Sequence, residues 1–537
     1  MPGAQARGSL ALVLHAHLPF VRHPEYESFL EETWLFEAIT ETYLPLLRVF
    51  DRLVADGVRF RITLSLSPPL LTMLADPFLQ DRYRAHLDKM AELGDKEILR
   101  NHPSGPTLDL ARMYRGLVEQ TRDDYDDRYG RDLIGAFGRL QDAGAVELIT
   151  CGATHGFLPL LRSQPGTVRA QVRVAADAYR RAFGRGPAGL WLPECGYYPG
   201  LEEALAEAGI RYFFVEAHGL LNATPAPKYA VLAPLAAGDG VAAFGRDPST
   251  SRIVWSADEG YPGDPWYRDF YRDIGFDLDF DVIRPFILDG ETRVTTGFKY
   301  HRITGATDDK QVYEPERARE RAAEHAGDFV SRVRRIVESA APRMDRPPIV
   351  VAPYDAELFG HWWFEGPQWL DYVIRKLTFD QDVVDLVTPS DDLDRHPRPQ
   401  PAQPAPSSWG DQGYNDFWLN TGNDWIYPHL HDAAARMQQL ARVHANARPG
   451  TLLSGALAQA ARSLLLAQAS DWVFIMKTGT NVEYAYGRTR DHLGRFHFLA
   501  DAIDAGDIDA GDIDERRLAA LELMHDIFPD IDWSVYA

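Results

Sequence analysis

Two acidic residues in this chain stand directly after apolar runs: Glu194 in "GLWLPECGY" and Asp355 in "PPIVVAPYDAE". Each run reads as a buried strand, so each carboxylate falls at the end of a strand where α/β folds bind their ligands. Either acid alone has the ordinary reading of a loop residue. Two in equivalent positions, both among aromatics, ask for more. Trp191, Tyr197 and Tyr198 surround Glu194, while Tyr354, Phe359, Trp362 and Trp363 surround Asp355. Cleavage of a glycosidic bond needs such a pair, one carboxyl ionised and the other holding a proton for the leaving oxygen. Flat aromatic faces suit the apolar faces of sugar rings. Trp34, Trp255, Trp266, Trp409, Trp418, Trp425 and Trp472 enlarge that supply, although most tryptophans in any chain are core.

His15 and His17 in "LHAHLP" lie two apart and share one face of a strand. The spacing allows a hydrogen-bonded pair, a zinc site or bonds to a polyhydroxylated substrate, and it does not rank them. His155, Asp355 and His361 are further groups that could converge with the pair. Asp471 in "SDWVFIM" sits at a helix edge, where a capping or surface role is the competing reading.

These residues need a scaffold. The stretches 9–17, 59–69, 145–155, 188–197, 210–219 and 347–357 are apolar runs that end in polar clusters and lead into helical patterns. Runs without alternation suit parallel strands covered on both faces, so an α/β barrel or open α/β sheet is expected. "RHPRPQPAQPAPSSWG" (395–410) is proline-rich and reads as a semi-rigid connector. Beyond it, 429–445, 456–476 and 515–528 carry helical patterns, which indicates a C-terminal helical domain. The segments 254–277 and 407–429, dense in aromatics, Gly and charge, read as long loops over a site. "NATPAPKYAVL", around Tyr229, is the expected cover. "DAGDIDAGDIDE" (504–515) lacks the spacing of a calcium loop and reads as a solvated acidic turn.

Bulk properties narrow the partners. The 537 residues carry a formal charge of −22, which argues against nucleic acid or an anionic membrane as partner. A neutral substrate fits. Two cysteines, Cys151 and Cys195, suit a reducing compartment. The first twenty residues lack the pattern of a secretory signal, so a cytoplasmic protein is expected.

Taken in order, "HAHLP", "CGATHGFLPLL", "GLWLPECGY", "APYDAELFGHWWFEGPQWL" and "SDWVFIM" resemble the characteristic regions of glycoside hydrolase family 57. The resemblance runs from about residue 9 to about 530 and is greatest to the family's 1,4-α-glucan branching enzymes, a point strengthened by "GYPGDPWYRDFYRDIGFD" and "GFKYHRITG". It implies an α/β fold, an incomplete (β/α)7 barrel with a small helical insertion and a C-terminal α-helical domain. Residues 1–395 would form the barrel, with the insertion around 198–240; 396–408 would be the connector and 409–537 the helical domain. The insertion is expected to be small because "YYPGLEEALAEAGI" enters a helix directly after "ECGY".

The resemblance also implies a retaining double displacement without metal or cofactor, acting on α-1,4-glucan as both donor and acceptor. Glu194 would be the nucleophile and Asp355 the general acid/base. His15, His17, Arg246, Gly263, Trp409 and Asp471 would bind the glucan. The rival readings are a 4-α-glucanotransferase or α-amylase of the same family, a catalytically inactive glucan-binding protein, and a zinc-dependent deacetylase or mannosidase. Metal analysis separates the last of these.

Overall fold

The run "GSLALVLHA" forms strand β1, Gly8–Ala16, and its residues alternate between two apolar environments. Leu10, Leu12, Leu14 and Ala16 pack outward in the large cluster beneath the helices, while Ala11 and Val13 belong to a separate inner cluster. The computed structural model describes residues 6–102, 105–256, 259–288, 290–505 and 515–537. Most of the acidic repeat at 504–515 therefore lies outside the described residues.

The same period-two logic governs the other strands: β2 (Ile62–Leu66), β3 (Val146–Ile149), β4 (Gly189–Leu190), β5 (Tyr212–Val215), β6 (Leu235–Ala236), β7 (Ala242–Gly245), β8 (Ile349–Asp355), β9 (Val384–Leu386) and β10 (Gln400–Pro401). One sheet runs β3-β2-β1-β8, with β9 also pairing β1; all its pairings are parallel. The second runs β10-β6-β7-β5-β4, where only the β6–β7 pairing is antiparallel. The inner cluster draws on both sheets: Ala11, Val13, Ile149, Trp191, Tyr212, Phe214, Phe244, Ile349 and Val351 all belong to it. The chain is thus a mixed α/β protein followed by a C-terminal helical domain.

Helices cover the strands, and many open on proline at a first-turn position, where its missing N–H is no loss. Pro77–Arg100, Pro106–Asp123, Pro165–Phe183 and Pro315–Ala340 all do so. The first two form a helical excursion between β2 and β3 that the sequence patterns did not reveal. Residues 198–240, expected as a small helical insertion, contain the helices Leu201–Glu207 and Ala217–Leu221 on either side of β5, which pairs both β4 and β7. In the C-terminal domain, Ile426–Val443, Leu452–Ala467, Ser470–Thr478 and Val482–Ala505 pack on one another. No helix among the described residues is long and apolar enough to cross a membrane.

One expectation gains detail and one changes. The proline-rich connector does not run unpaired. Its intervening N–H groups pair in turn: Ala402 to Ala236, Gln403 to Thr224, Ala405 to Gly219, Ser407 to Tyr197 and Trp409 to Glu194. Prolines at 399, 401, 404 and 406 remove donors only between those positions. Nor does the segment around Tyr229 cover the site. The Leu232 carbonyl accepts from Ile349 N at the first residue of β8, and the Tyr229 hydroxyl accepts from Asp345 N. Asp355 stands six residues farther along that strand, about 20 Å away at the strand rise per residue. The apolar character of "YAVL" reflects packing at the entry end of β8, not a lid.

Candidate active site

Strand parity decides what faces inward. His15 follows Ala11 and Val13 on one face of β1, and Asp355 follows Ile349 and Val351 on one face of β8; the two residues are register partners. His15 is likewise opposite Ser65. His17 and Ser67, two residues farther on, repeat the arrangement just past the strand ends, where the His17 Nδ1 meets the Ser67 hydroxyl at 2.8 Å. "HAH" on one strand thus faces "SLS" on the next, a matched spacing that was visible in sequence and was not read there.

Glu194 is held in an uncommon backbone state. Its φ is 59°, and Cys195 beside it has φ 50°. Left-handed non-glycine residues carry a strain of about 1–3 kcal/mol each and persist where surrounding bonds over-determine them. Here the Cys195 and Gly196 N–H groups bond back to Leu192 and Pro193, and Trp409 N bonds the Glu194 carbonyl. The strain aims the carboxylate at two donors. Trp409 Nε1 donates to Oε2 at 2.7 Å, and the Ser470 hydroxyl donates to Oε1 at 3.3 Å. His155 Nδ1 lies 3.8 Å from the same Oε1. Burial pushes Glu194 up to about 7; the Trp409 bond opposes that rise, and Asp471 adds to it.

Asp355 receives no hydrogen bond from any described residue. Burial first, then the charges of Glu357 and Glu194, drive it well above the ordinary carboxylate range, with Arg246 opposing. The two carboxyls therefore sit in unequal surroundings. One is equipped to be an anion and the other to keep its proton.

Around them, Glu357 accepts from the Tyr43 hydroxyl at 2.6 Å and from His17 N at 3.3 Å. His17 Nε2 meets Asp471 at 3.1 Å. Arg246 is held by Glu216 at 3.1 Å and lies 5.7 Å from the Trp409 ring. Trp255, 48% exposed, lies 6.4 Å from Trp409 and nearly parallel to it, while Trp191 meets Trp409 edge-on. Trp363, Trp418 and Trp472 are fully buried and belong to the core.

The expected site residues do not all fare alike. Glu194, Asp355, His15, His17, Arg246, Trp409 and Asp471 come together. Gly263 sits in the turn Tyr261–Gly263, which is fixed to the helix Pro315–Ala340 through Tyr261 on His325 and Asp328. Among the described residues that turn makes no hydrogen bond or ring contact with either carboxyl. His361 bonds Glu41 at 2.7 Å instead of joining the cluster. Glu216, Glu357, Ser65, Ser67 and Ser470 were missed, because single polar residues near strand or helix ends carry no distinguishing local pattern.

Among the described residues, two triads could offer atoms to a metal: His15, Cys151 and His155, and His17, His155 and Asp471. The His17 and His155 rings lie face to face, 3.8 Å apart and 11° from parallel. Their lone pairs run side by side and do not meet at a point about 2.0–2.1 Å from both, as a zinc ion needs. The fit of the second triad to a metal is poor; in the first, His155 Nε2 lies within hydrogen-bond reach of His15 Nε2 at 3.1 Å.

The raised Glu194 pKa has a consequence for stability. The folded protein keeps a proton that the unfolded chain releases from about 4.5, so ionisation penalises the fold increasingly between pH 4.5 and 7 and fully above 7. The penalty is on the order of 3 kcal/mol. Glu194→Gln should therefore melt higher than the parent at pH 8, with the gain vanishing toward pH 4.5. Equal melting curves at pH 8 would show that the carboxylate is not destabilised by burial.

Comparison with known proteins gives a consistent set of relatives. A profile described as glycosyl hydrolase family 57 matches residues 11–402, and one described as 1,4-alpha-glucan branching enzyme, C-terminal, matches 429–536. The 1,4-alpha-glucan branching enzyme of Thermococcus kodakarensis is 36% identical over 528 residues, covering 93% of this chain and 74% of that protein. Among solved structures, the alpha-amylase AmyC from Thermotoga maritima matches with TM-score 0.91 and 42% identity over 99% of both chains. The GH57-type branching enzyme from Pyrococcus horikoshii matches with TM-score 0.88 and 34% identity, over 99% of this chain and 97% of that one.

Proposed function

The chain belongs to glycosyl hydrolase family 57, and from that premise we propose that it is a 1,4-α-glucan branching enzyme working through Glu194 and Asp355. The observation that carries the chemistry is the inequality of the two carboxyls. Glu194 receives two hydrogen bonds that favour its ionised form, and Asp355 receives none among the described residues. In the first step Asp355 gives its proton to the glycosidic oxygen while the Glu194 carboxylate attacks the anomeric carbon, forming a glycosyl ester. In the second, the Asp355 carboxylate takes the proton of a glucan O6 hydroxyl as that oxygen displaces Glu194. Two inversions retain the α configuration and leave an α-1,6 branch.

His17, Arg246, Trp409 and Asp471 line the cleft for the donor glucan, with Gly263 farther out. His15 stands behind them, both its ring nitrogens bonded within the protein. As to architecture, the inner cluster shared by the sheets, the Thr150–Leu190 bridge and the bond from Asp247 N to the Val351 carbonyl support one incompletely closed barrel of seven parallel strands, β8-β1-β2-β3-β4-β5-β7. A glucan-storage role would place the protein in the cytoplasm.

Branching needs a sugar hydroxyl to outcompete water for the ester, and the match of residues 429–536 to the branching-enzyme C-terminal profile favours that outcome. The likeness to AmyC favours a second reading, in which water is the acceptor. Incubation with amylose, followed by debranching and sizing of the released chains, decides between them. New α-1,6 linkages are expected; reducing ends alone would make the protein a hydrolase.

Trp409 is where this balance is set. Trp409→Phe keeps a ring but loses the N–H to Glu194, so glycosylation should slow roughly 10- to 150-fold, the worth of a hydrogen bond to a charged group. Trp409→Ala should in addition weaken glucan binding and shift the surviving product from α-1,6 linkages to reducing ends. An unchanged ratio and affinity would leave Trp409 as core.

A further inference from the structure

His15 and His155 touch through the same atom of each ring, Nε2 to Nε2, at 3.1 Å. Burial pushes both imidazoles well below their ordinary proton affinity, so both are neutral. A contact between two such nitrogens holds one proton. The tautomers are therefore opposite and coupled: whichever ring donates through Nε2 has a bare Nδ1, and the other carries its proton on Nδ1.

Each Nδ1 meets a serine. His15 Nδ1 lies 3.1 Å from the Ser65 hydroxyl, which is 3.3 Å from the Thr150 carbonyl. His155 Nδ1 lies 2.8 Å from the Ser470 hydroxyl, which reaches Glu194 Oε1 at 3.3 Å. A serine has one proton to give. If Ser470 donates to Glu194, it must accept from His155 Nδ1–H; His155 Nε2 then accepts from His15 Nε2–H, and His15 Nδ1 accepts from Ser65. In the reverse polarity Ser65 donates to Thr150, every proton turns the other way, and Ser470 has none left for Glu194. Only the first polarity suits an anion.

We propose that Ser65, His15, His155 and Ser470 form one directional hydrogen-bond chain that orients Glu194 and stabilises it as a carboxylate, with Ser470 and His155 as positioning residues. The inference rests on Glu194 being the nucleophile. It gives the C-terminal helical domain a chemical task, since Ser470 opens the helix Ser470–Thr478, where its own N–H bonds the His155 carbonyl at 3.1 Å. It also accounts for the left-handed backbone of His155, φ 59°, which turns the ring between the two domains.

Four variants test the chain on the full-length protein, with kcat and KM measured on an aryl maltooligosaccharide and binding of an unreactive maltooligosaccharide measured separately. Ser470→Ala should lower kcat about 10- to 100-fold with KM and binding changed less than about twofold. Ser470→Thr keeps the hydroxyl and should restore most of kcat. Ser65→Ala, at the far end of the chain, should lower kcat several-fold, and the Ser65→Ala/Ser470→Ala double variant should be no slower than Ser470→Ala alone, because the chain is already cut. Full kcat in Ser470→Ala would overturn the proposal, as would equal loss in the Thr and Ala variants at matching melting temperatures, or additive losses in the double variant. Glu194→Gln, measured alongside, separates the cases: if it retains activity, the nucleophile assignment has failed, not the chain alone.

Discussion

Glu194→Gln should abolish both chain transfer and hydrolysis, by more than about 10³-fold, while the protein stays folded. The amide keeps the shape of the carboxyl, with its oxygen accepting from Trp409 and its NH2 donating to the Ser470 hydroxyl, but it cannot form a glycosyl ester. Loss of both activities together is the informative part, since transfer and hydrolysis share that ester and differ only in what attacks it. The smaller Glu194→Ala leaves space beside the anomeric carbon. With added azide it should yield a β-glycosyl azide, because azide attacks from the vacated side and Asp355 still protonates the leaving oxygen. Near-normal turnover of Glu194→Gln on amylose would remove Glu194 from the mechanism. The raised proton affinity adds a pH signature: activity of the parent should fall as pH drops below about 7, where Glu194 takes up a proton and ceases to be a nucleophile.

Asp355→Asn should slow turnover of ordinary glucans about 10²- to 10⁴-fold, the usual contribution of a positioned acid or base. Its effect should depend on the leaving group. A glucan oxygen leaves as an alkoxide unless protonated, so the variant is blocked at the first step. An activated aryl oxygen needs no proton, so the ester should still form with an aryl maltooligosaccharide and then accumulate, because nothing remains to deprotonate the acceptor. A burst of phenol followed by a slow steady state is the expected trace. The basic limb of the parent's profile should also disappear, since that limb reports loss of the Asp355 proton, which burial and the Glu357 and Glu194 charges hold to high pH. An equal fall on both substrates would mean that Asp355 acts on binding and not on proton transfer.

Much of the site was legible before the fold was seen. Apolar runs ending in Glu194 and Asp355, and the two-residue spacing of His15 and His17, follow from strand periodicity, which is local and needs no partner to be read. The C-terminal helices were legible for the same reason. The cover assigned to the Tyr229 segment was not, because an apolar, proline-punctuated loop looks the same at either end of a barrel. For the proline-rich segment, composition suggested a semi-rigid connector; the partners of its spaced N–H groups, which carry it along the second sheet to Trp409, have no local signal.

By itself, then, the sequence determined which side chains reach the strand ends and which face of each strand they share, because both follow from a period of two along a few neighbouring residues. Which of two similar carboxyls has donors within reach was decided only in three dimensions. The donors to Glu194 come from Trp409 and Ser470, 215 and 276 residues away, and Asp355 has none among the described residues. Ionisation of a buried group depends on the few atoms within hydrogen-bond reach, and those atoms arrive from distant parts of the chain through the connector and the docked helical domain.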